Sequence, residues 1–288
     1  MKMQSEFKEF LSREGLKQAH VARSLGVSTS QISQWLSGKY HGDVHTLGAN
    51  LRSFMENYSQ KMSNSSSRPT KSESLSNYTA AMFVADEAIV NQEMAVLYGM
   101  PGTGKTIVAR DFATAHPEAI LIEVVPGVRV DSLLKLIASR LGISGVRGGD
   151  ELIWAIAREF ERREGVLLID EAEHLTTKGL EVLRRIHDFS RVPVILVGTF
   201  GLIKNLKGSS GELLQLYSRI QGRWEFKEPT SDDFTTLFGS HAKVIARYTK
   251  HLRRAVNLYT KAQRFARLKD EDLGAGHIEA ASSMLFLD

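Results

Sequence analysis

The sequence predicts an α/β protein with a parallel sheet at its centre and a small helical domain at each end. From Met94 onward, short apolar runs alternate with helical patterns, and such continuous runs are typical of strands buried on both faces of a parallel sheet. A serine-rich stretch precedes these runs, and the strand signals stop after about Lys227. We therefore predict a helix-turn-helix domain over 1–62, a flexible linker over 63–76, a sheet-containing core over 77–227 and a C-terminal helical domain over 228–288.

Composition and charge exclude several kinds of protein. The 288 residues include no cysteine, which rules out a disulfide framework and a thiolate metal site. We find neither the roughly 20 consecutive apolar residues of a membrane span nor a signal peptide, so we expect a cytoplasmic protein without a membrane partner. The net charge of +4 permits DNA binding without proving it. Residues 1–74, with ten Lys and Arg against six Asp and Glu, carry that whole excess.

The front domain is predicted from a helix-turn-helix pattern over 18–36. Apolar residues at helical spacing precede Gly26, which permits a tight turn, and Ser28 caps a second helix that buries Ile32 and Trp35. In DNA-binding domains of this kind the second helix enters the major groove. We predict base contacts from Gln31 and Gln34, and phosphate contacts from Lys17, Arg23 and Lys39. The alternative is a motif used only for packing or for binding protein.

The stretch Gly99-Met-Pro-Gly-Thr-Gly-Lys-Thr106 matches the pattern G-x-x-x-x-G-K-[ST], between a predicted strand and a predicted helix. The glycines let main-chain N–H groups and the helix N-terminus face a triphosphate, which predicts ATP binding. Lys105 would bring a positive charge to the β and γ phosphates, and Thr106 a hydroxyl to Mg²⁺. The residues assigned to the nucleotide here are Gly99, Pro101, Gly102, Thr103, Gly104, Lys105, Thr106 and Ile107.

A second apolar run, Gly165-Val-Leu-Leu-Ile-Asp-Glu171, ends in two adjacent carboxylates. We predict that Asp170 holds Mg²⁺ and that Glu171 polarises the water that attacks the γ-phosphate, which makes the chain an ATPase. The alternative for Glu171 is a helix N-cap or a solvated surface residue.

Three further side chains are candidates for the same reaction. Thr199 follows the run Val194-Ile-Leu-Val-Gly198, where it could reach the γ-phosphate, or it could simply be a turn or N-cap threonine. Arg219 lies near the end of the core, and Arg253 and Arg254 lie on a helix of the last domain. Such cations could neutralise charge during phosphoryl transfer, although lone arginines are usually solvated surface residues.

The helix-turn-helix, the serine-rich stretch, GMPGTGKT, LLIDEAEHL, VILVGT and LYSRI occur here in one order along the chain. In this order the chain resembles the phage Mu B transposition protein family, AAA+ ATPases that select target DNA for transposons. The resemblance implies an AAA+ fold for the core and ATP-bound subunits that form a helical filament on double-stranded DNA. It also implies delivery of that DNA to a DDE transposase in the cytoplasm of a bacterial host.

The same resemblance implies roles for individual residues. Arg219 matches the arginine-finger position, Arg254 matches the second sensor, and Thr199 matches the first sensor, where the Mu protein has an amide residue. DNA would be gripped by loops of the core, and by position the candidates are Arg129 and Arg147, both in loops flanked by glycine.

Two other functions remain open from the sequence. A replication ATPase such as a helicase loader would share the core and the DNA affinity but would act on a helicase. A signalling ATPase with the same front domain would regulate transcription at a specific operator.

Overall fold

The computed structural model describes residues 2–66, 74–146, 148–207 and 214–287, with the backbone alone for 2, 23, 56–66 and 214. The chain divides into two compact units, residues 1–68 and residues 69–288. Each unit has its own apolar core, and each is described by itself.

The first unit is entirely helical in its described part. Its helices are α1 (Lys2–Arg13), α2 (Gln18–Leu25), α3 (Thr29–Leu36) and α4 (Val44–Ser66). Phe7 of α1 is fully buried and meets Trp35 of α3 edge-on, with 6.2 Å between ring centroids. Gly26, at φ +68, makes the turn between α2 and α3, a left-handed conformation that glycine adopts at little cost. These two helices lie where the helix-turn-helix pattern predicted them.

The predicted linker over 63–76 is wrong at both ends. Helix α4 continues through Ser66, and at the other end Leu75 is buried in a core while Ser76 begins the next helix. The backbone N–H and hydroxyl of Ser76 donate to the Asp233 carboxylate, at 3.1 Å for the N–H. Serine favours turns only weakly, so packing and propagation of a neighbouring helix can override it. The remaining linker residues, 67–73, lie outside the described residues.

The second unit is built on a five-stranded parallel sheet with strand order β2-β3-β4-β1-β5. This confirms the predicted α/β class. Its strands are β1 (Met94–Gly99), β2 (Ala119–Glu123), β3 (Val166–Asp170), β4 (Val194–Gly198) and β5 (Ile220–Phe226). The helices between and around them are α5 (Ser76–Val90), α6 (Lys105–Ala115), α7 (Val130–Leu141), α8 (Gly149–Arg163), α9 (Thr177–Ser190), α10 (Phe200–Lys207) and α11 (Leu214–Tyr217).

Helices cover both faces of this sheet. Along β1, Met94 and Val96 belong to one apolar cluster and Ala95 and Leu97 to the other, and all four are at most 1% exposed. Side chains alternate between the faces of a strand, so a strand covered on both sides must be apolar throughout. This explains why four strands were readable as uninterrupted apolar runs.

The fifth strand was missed. Strand β5, Ile-Gln-Gly-Arg-Trp-Glu-Phe, is an edge strand that pairs only with β1 in the described sheet, and its residues alternate between partly buried and exposed. Half-buried strands are recognised by period-two alternation, which Ile220, Trp224 and Phe226 show.

The sheet order determines which loops meet. Strand β4 lies between β1 and β3, and neighbouring strands are about 4.8 Å apart. The residues that follow β1, β4 and β3 therefore share the carboxyl edge, where ligands of open α/β sheets bind.

The C-terminal residues form a helical subdomain with its own apolar cluster in the second unit. Its helices are α12 (Ser231–Phe238), α13 (Ala242–Ile245), α14 (Leu252–Leu268) and α15 (Ala275–Ser282). Asp233 fixes its start, because it forms a capping box with Thr230 and accepts from Ser76. No helix in the described part of the chain is long and apolar enough to cross a membrane.

Candidate nucleotide-binding site

The loop between β1 and α6 has the backbone of an anion cradle. Gly102 and Gly104 have φ values of +79 and +102, which a side chain would strain. Helix α6 begins at Lys105, so its free N–H groups and positive dipole end face the loop. The Thr103 hydroxyl donates to the carbonyl of Met100 at 2.9 Å and closes the turn. The predicted phosphate-binding residues therefore follow one another through this loop, from the end of β1 to the first turn of α6.

Lys105 is buried within this loop, with 8% of its surface exposed. Its Nζ donates to the carbonyls of Gly99 and Met100, at 3.0 and 2.8 Å. Burial lowers the pKa of Lys105, while the carboxylates of Glu173, Glu171 and Asp170 oppose that shift. Carbonyls are weaker partners for an ammonium than a polyanion, so this lysine is preorganised for phosphate.

Asp170 and Thr106 fit a small hard cation. Asp170 is 2% exposed at the end of β3, and burial raises its pKa, against a hydrogen bond with the Thr106 side chain. A carboxylate and a hydroxyl in direct contact beside a phosphate cradle are the oxygen ligands that Mg²⁺ takes from P-loop proteins. When bound there, Mg²⁺ would neutralise phosphate charge.

Glu171 lies just beyond Asp170 in a constrained conformation. Its φ of +56 is uncommon for a residue with a side chain, and such backbones are found at functional sites more often than elsewhere. Burial raises the pKa of Glu171, and the neighbouring carboxylates of Glu173 and Asp170 raise it further. Its Oε2 is 4.0 Å from Nε2 of His174. The side chain is accessible enough to meet a water molecule and close to the phosphate loop.

Glu173 was not singled out from the sequence. Its Oε2 is buried and has no hydrogen-bond partner among the described residues, and a Cβ on Gly198 would come within 2.5 Å of it. Of the three carboxylates that act on Lys105, Glu173 has the largest effect. Its position two residues beyond Glu171, in the pattern Asp-Glu-Ala-Glu, was the only sequence signal that could have identified it.

Thr199 lies at the carboxyl end of β4, between the phosphate loop and Asp170 in the strand order. Its Oγ1 accepts from the backbone N–H of Gly201 at 3.2 Å, at the start of α10. This hydrogen bond is the one expected of a turn or N-cap threonine. The role of Thr199 as a sensor stays a prediction.

The helical subdomain contributes cations to the site. Arg253 acts electrostatically on Lys105, whereas both Arg254 and Arg253 act on His251, the residue that precedes α14. The sequence prediction chose Arg254 for the nucleotide, and the structure brings its neighbour Arg253 to the same region. His251 was missed, because only tertiary packing places it beside Gly102.

Arg219 is at the opposite edge of the sheet. Its carbonyl accepts from the N–H of Met94, the first residue of β1, so the strand separates it from the phosphate loop by about 16 Å. Its guanidinium donates to Asp188 of α9, at 2.8 Å for Nε. Arg219 therefore does not lie beside the phosphate loop of its own chain, and its role as an arginine finger stays a prediction.

The predicted DNA contacts lie in both units. Arg129 is exposed at the N-cap of α7, in the loop that follows β2 at the carboxyl edge. Arg147 lies outside the described residues, and so does the side chain of Arg23. In the first unit Lys17, Gln34 and Lys39 are exposed.

The side chain of Gln31 is already hydrogen-bonded within the first unit. Its side-chain carbonyl accepts from the N–H of Ser28 at 2.8 Å in the capping box that starts α3. Its amide N–H₂ is all that remains for a base, so Gln34 is the better candidate for base contacts.

Comparisons with known proteins agree with this site. The AAA domain family matches residues 89–206, which include the phosphate loop, β3 and β4. The Mu-like prophage FluMu DNA transposition protein B of Haemophilus influenzae is 30% identical over 225 residues, covering 76% of this chain and 78% of that protein. The ATP-dependent target DNA activator B of Escherichia phage Mu is 29% identical over 222 residues, covering 75% of this chain and 70% of that protein.

Among solved structures, the ORC2 protein of Aeropyrum pernix, determined as ADPNP–ADP complexes, has a similar fold. The TM-score is 0.58 at 16% identity, over 72% of this chain and 66% of that chain. At this identity the likeness concerns the fold alone. Together with the match to the transposition proteins, these findings show that the chain belongs to the Mu B transposition protein family and that it is an AAA+ ATPase.

Proposed function

We propose that this chain uses ATP to control its hold on target DNA and presents that DNA to a transposase. ATP would be bound by the loop from Gly99 to Thr106, with Mg²⁺ held by Thr106 and Asp170. Glu171 would orient and deprotonate the attacking water, and Thr199 would contact the γ-phosphate region from β4. The relatives named for target DNA and transposition support the step from ATPase to transposition.

The observation that carries the proposal is the separation of two functional groups on one sheet. The phosphate loop lies at the carboxyl edge, while Arg219 lies at the amino edge, about 16 Å away. A chain built in this way completes its site only when one copy meets another. ATP binding would then be coupled to homo-oligomerisation, and a row of copies can grip a duplex through repeated loops.

The contacts with the duplex would be largely independent of sequence. Arg129 is exposed at the carboxyl edge, where a cation can reach phosphates. Arg147 is proposed to act in the same way. In the first unit, Lys17, Arg23 and Lys39 would contact phosphates, and Gln34, with Gln31 in a lesser part, would face bases.

The full chain with long double-stranded DNA of arbitrary sequence provides the test. With a slowly hydrolysed ATP analogue we expect extended protein–DNA filaments by electron microscopy and binding that weakens steeply with salt, and with ADP we expect neither. A footprint confined to one operator would instead favour the transcription-regulating ATPase. Binding restricted to a helicase would favour the loader.

A mixing experiment tests whether Arg219 acts between copies. On DNA, Arg219→Ala should lose about 10³-fold or more of the ATPase rate, as expected for an arginine finger, and Lys105→Ala about 10²- to 10³-fold. Mixed together they should recover part of it, because the arginine of one variant then meets the intact loop of the other. Arg185→Ala, which removes a half-exposed arginine from α9, is the matched control and should keep the normal rate. A mixture as inactive as its components would overturn the assignment.

A further inference from the structure

His251 connects the helical subdomain to the phosphate loop. It is the N-cap residue of α14, and its backbone N–H donates to Oγ1 of Thr249 at 3.0 Å. Thr249 is itself 3% exposed, so the position of His251 is fixed by the buried part of the subdomain. The ring is therefore held in place by the fold.

The imidazole lies directly against the main chain of the loop. A Cβ built on Gly102 would be 1.8 Å from Cε1 of His251, 2.6 Å from Nδ1 and 2.9 Å from Nε2. Any side chain at position 102 would displace the ring. Gly102 is thus needed for the approach of the subdomain as well as for its positive φ.

The Nδ1 atom of this ring has no protein partner in the described part of the chain, although it is buried. A buried polar atom without a partner costs free energy, and in a native structure such an atom is often completed by a ligand. Here the loop beside it is built for phosphate.

The charged side chains with the largest effects on the ring are cations. Arg254 and Arg253 from α14 and Lys105 from the loop act on His251. Burial and these cations lower the pKa of His251, although a hydrogen bond from the ring to the carbonyl of Pro101 raises it. The carboxylates of Glu173, Glu171 and Asp170 act on Lys105, and a phosphate held by the loop would add further negative charge beside the ring.

We propose that His251 is a nucleotide-binding residue that donates a hydrogen bond from its ring to a phosphate oxygen held by the loop. The inference rests on ATP binding at this loop and is independent of the role in DNA selection. Because His251 is the N-cap residue of α14, the same contact would link this helix to the bound nucleotide. Subdomain position and nucleotide occupancy would then change together.

Phosphate binding beside His251 would have an effect that a purely structural histidine would not produce. A phosphate next to the ring adds negative charge where cations lower the pKa of His251. The imidazolium form therefore becomes more favourable. Nucleotide binding should therefore take up a proton near and below neutral pH. By linkage, affinity should rise as the pH falls.

Isothermal titration of the full chain with ADP and with a slowly hydrolysed ATP analogue, in two buffers of different ionisation enthalpy, measures affinity and proton uptake together. We expect the unmodified chain to take up a proton. His251→Ala should bind about tenfold more weakly, the scale of one hydrogen bond to a charged group, and should take up less than the unmodified chain. His251→Asn keeps a donor near the Nδ1 position, so it should bind more tightly than His251→Ala while showing the same reduced uptake.

His241→Asn is the matched control, since His241 is in the same subdomain but contacts Tyr259. It should keep both affinity and uptake. Equal affinity and equal uptake in all variants would overturn the role of His251 alone. Absence of nucleotide binding by the unmodified chain would overturn ATP binding itself, and if His251→Ala fails to fold, the asparagine variant decides.

Discussion

Lys105→Ala is expected to abolish ATP-dependent behaviour without unfolding the protein. Lys105 is 8% exposed, and its ammonium is hydrogen-bonded to two carbonyls of the loop. Loss of one preorganised charge at a phosphoryl group costs about 10²- to 10³-fold in rate. ATP affinity should also fall, because the cradle loses its only buried cation among the described residues.

The folded state should tolerate this change. Burial already lowers the pKa of Lys105, which means that the charged form is held there at a cost. We expect the thermal midpoint to stay within a few degrees of normal. Phosphate release, binding of a fluorescent ATP analogue and a DNA sedimentation assay measure the effects. Lys178→Ala, at an exposed position of α9, serves as the control. A Lys105→Ala protein that assembles on DNA like the unmodified chain, with no nucleotide requirement, would refute the proposed function.

Glu171→Gln should separate ATP binding from turnover. Glutamine keeps the shape and the polar contacts of the side chain but cannot accept a proton, so hydrolysis should slow by about 10²- to 10⁴-fold while the ATP complex persists. This variant should remain on DNA longer than the unmodified chain. A single-turnover assay with radiolabelled ATP, together with a dissociation measurement, tests both effects.

The pH dependence gives a second readout. Burial and the neighbouring Glu173 and Asp170 raise the pKa of Glu171, and a general base acts only when it is deprotonated. The rate of the unmodified chain should therefore rise with pH through this elevated pKa, and the dependence should be absent in Glu171→Gln.

Glu173→Gln is the discriminating comparison, because Glu173 has the larger effect on Lys105. If Glu173→Gln stops turnover and Glu171→Gln does not, the base is Glu173. With the assignment proposed here, Glu171→Gln has by far the larger effect.

What could be predicted from the sequence was local or strongly periodic. The phosphate loop and the pair Asp170–Glu171 lie within short segments whose spacing itself shapes the site. The strands β1 to β4 were recognisable because both of their faces are covered. Strand β5 was not predicted, because it is a half-exposed edge strand in which polar residues interrupt the apolar run.

The residues that were missed depend on packing between distant segments. His251 reaches Gly102 only through the position of the helical subdomain, and Asp188 meets Arg219 only because α9 contacts α11, the helix that precedes Arg219. The linker was misjudged at its second end for the same reason, since contacts of Leu75 and Ser76 with the C-terminal helices fix residues whose own propensities favour a coil.

If Arg219 serves a neighbouring copy as proposed, its placement at one edge of the sheet and that of the phosphate loop at the other give each copy a donating side and an accepting side. Contacts between unlike sides are heterologous, and they need not close into a ring. A row of copies joined in this way has direction. The copy at one terminus would hold ATP without a neighbour's arginine, so it would hydrolyse ATP slowly. Loss of copies from the row would then depend on hydrolysis in the other copies.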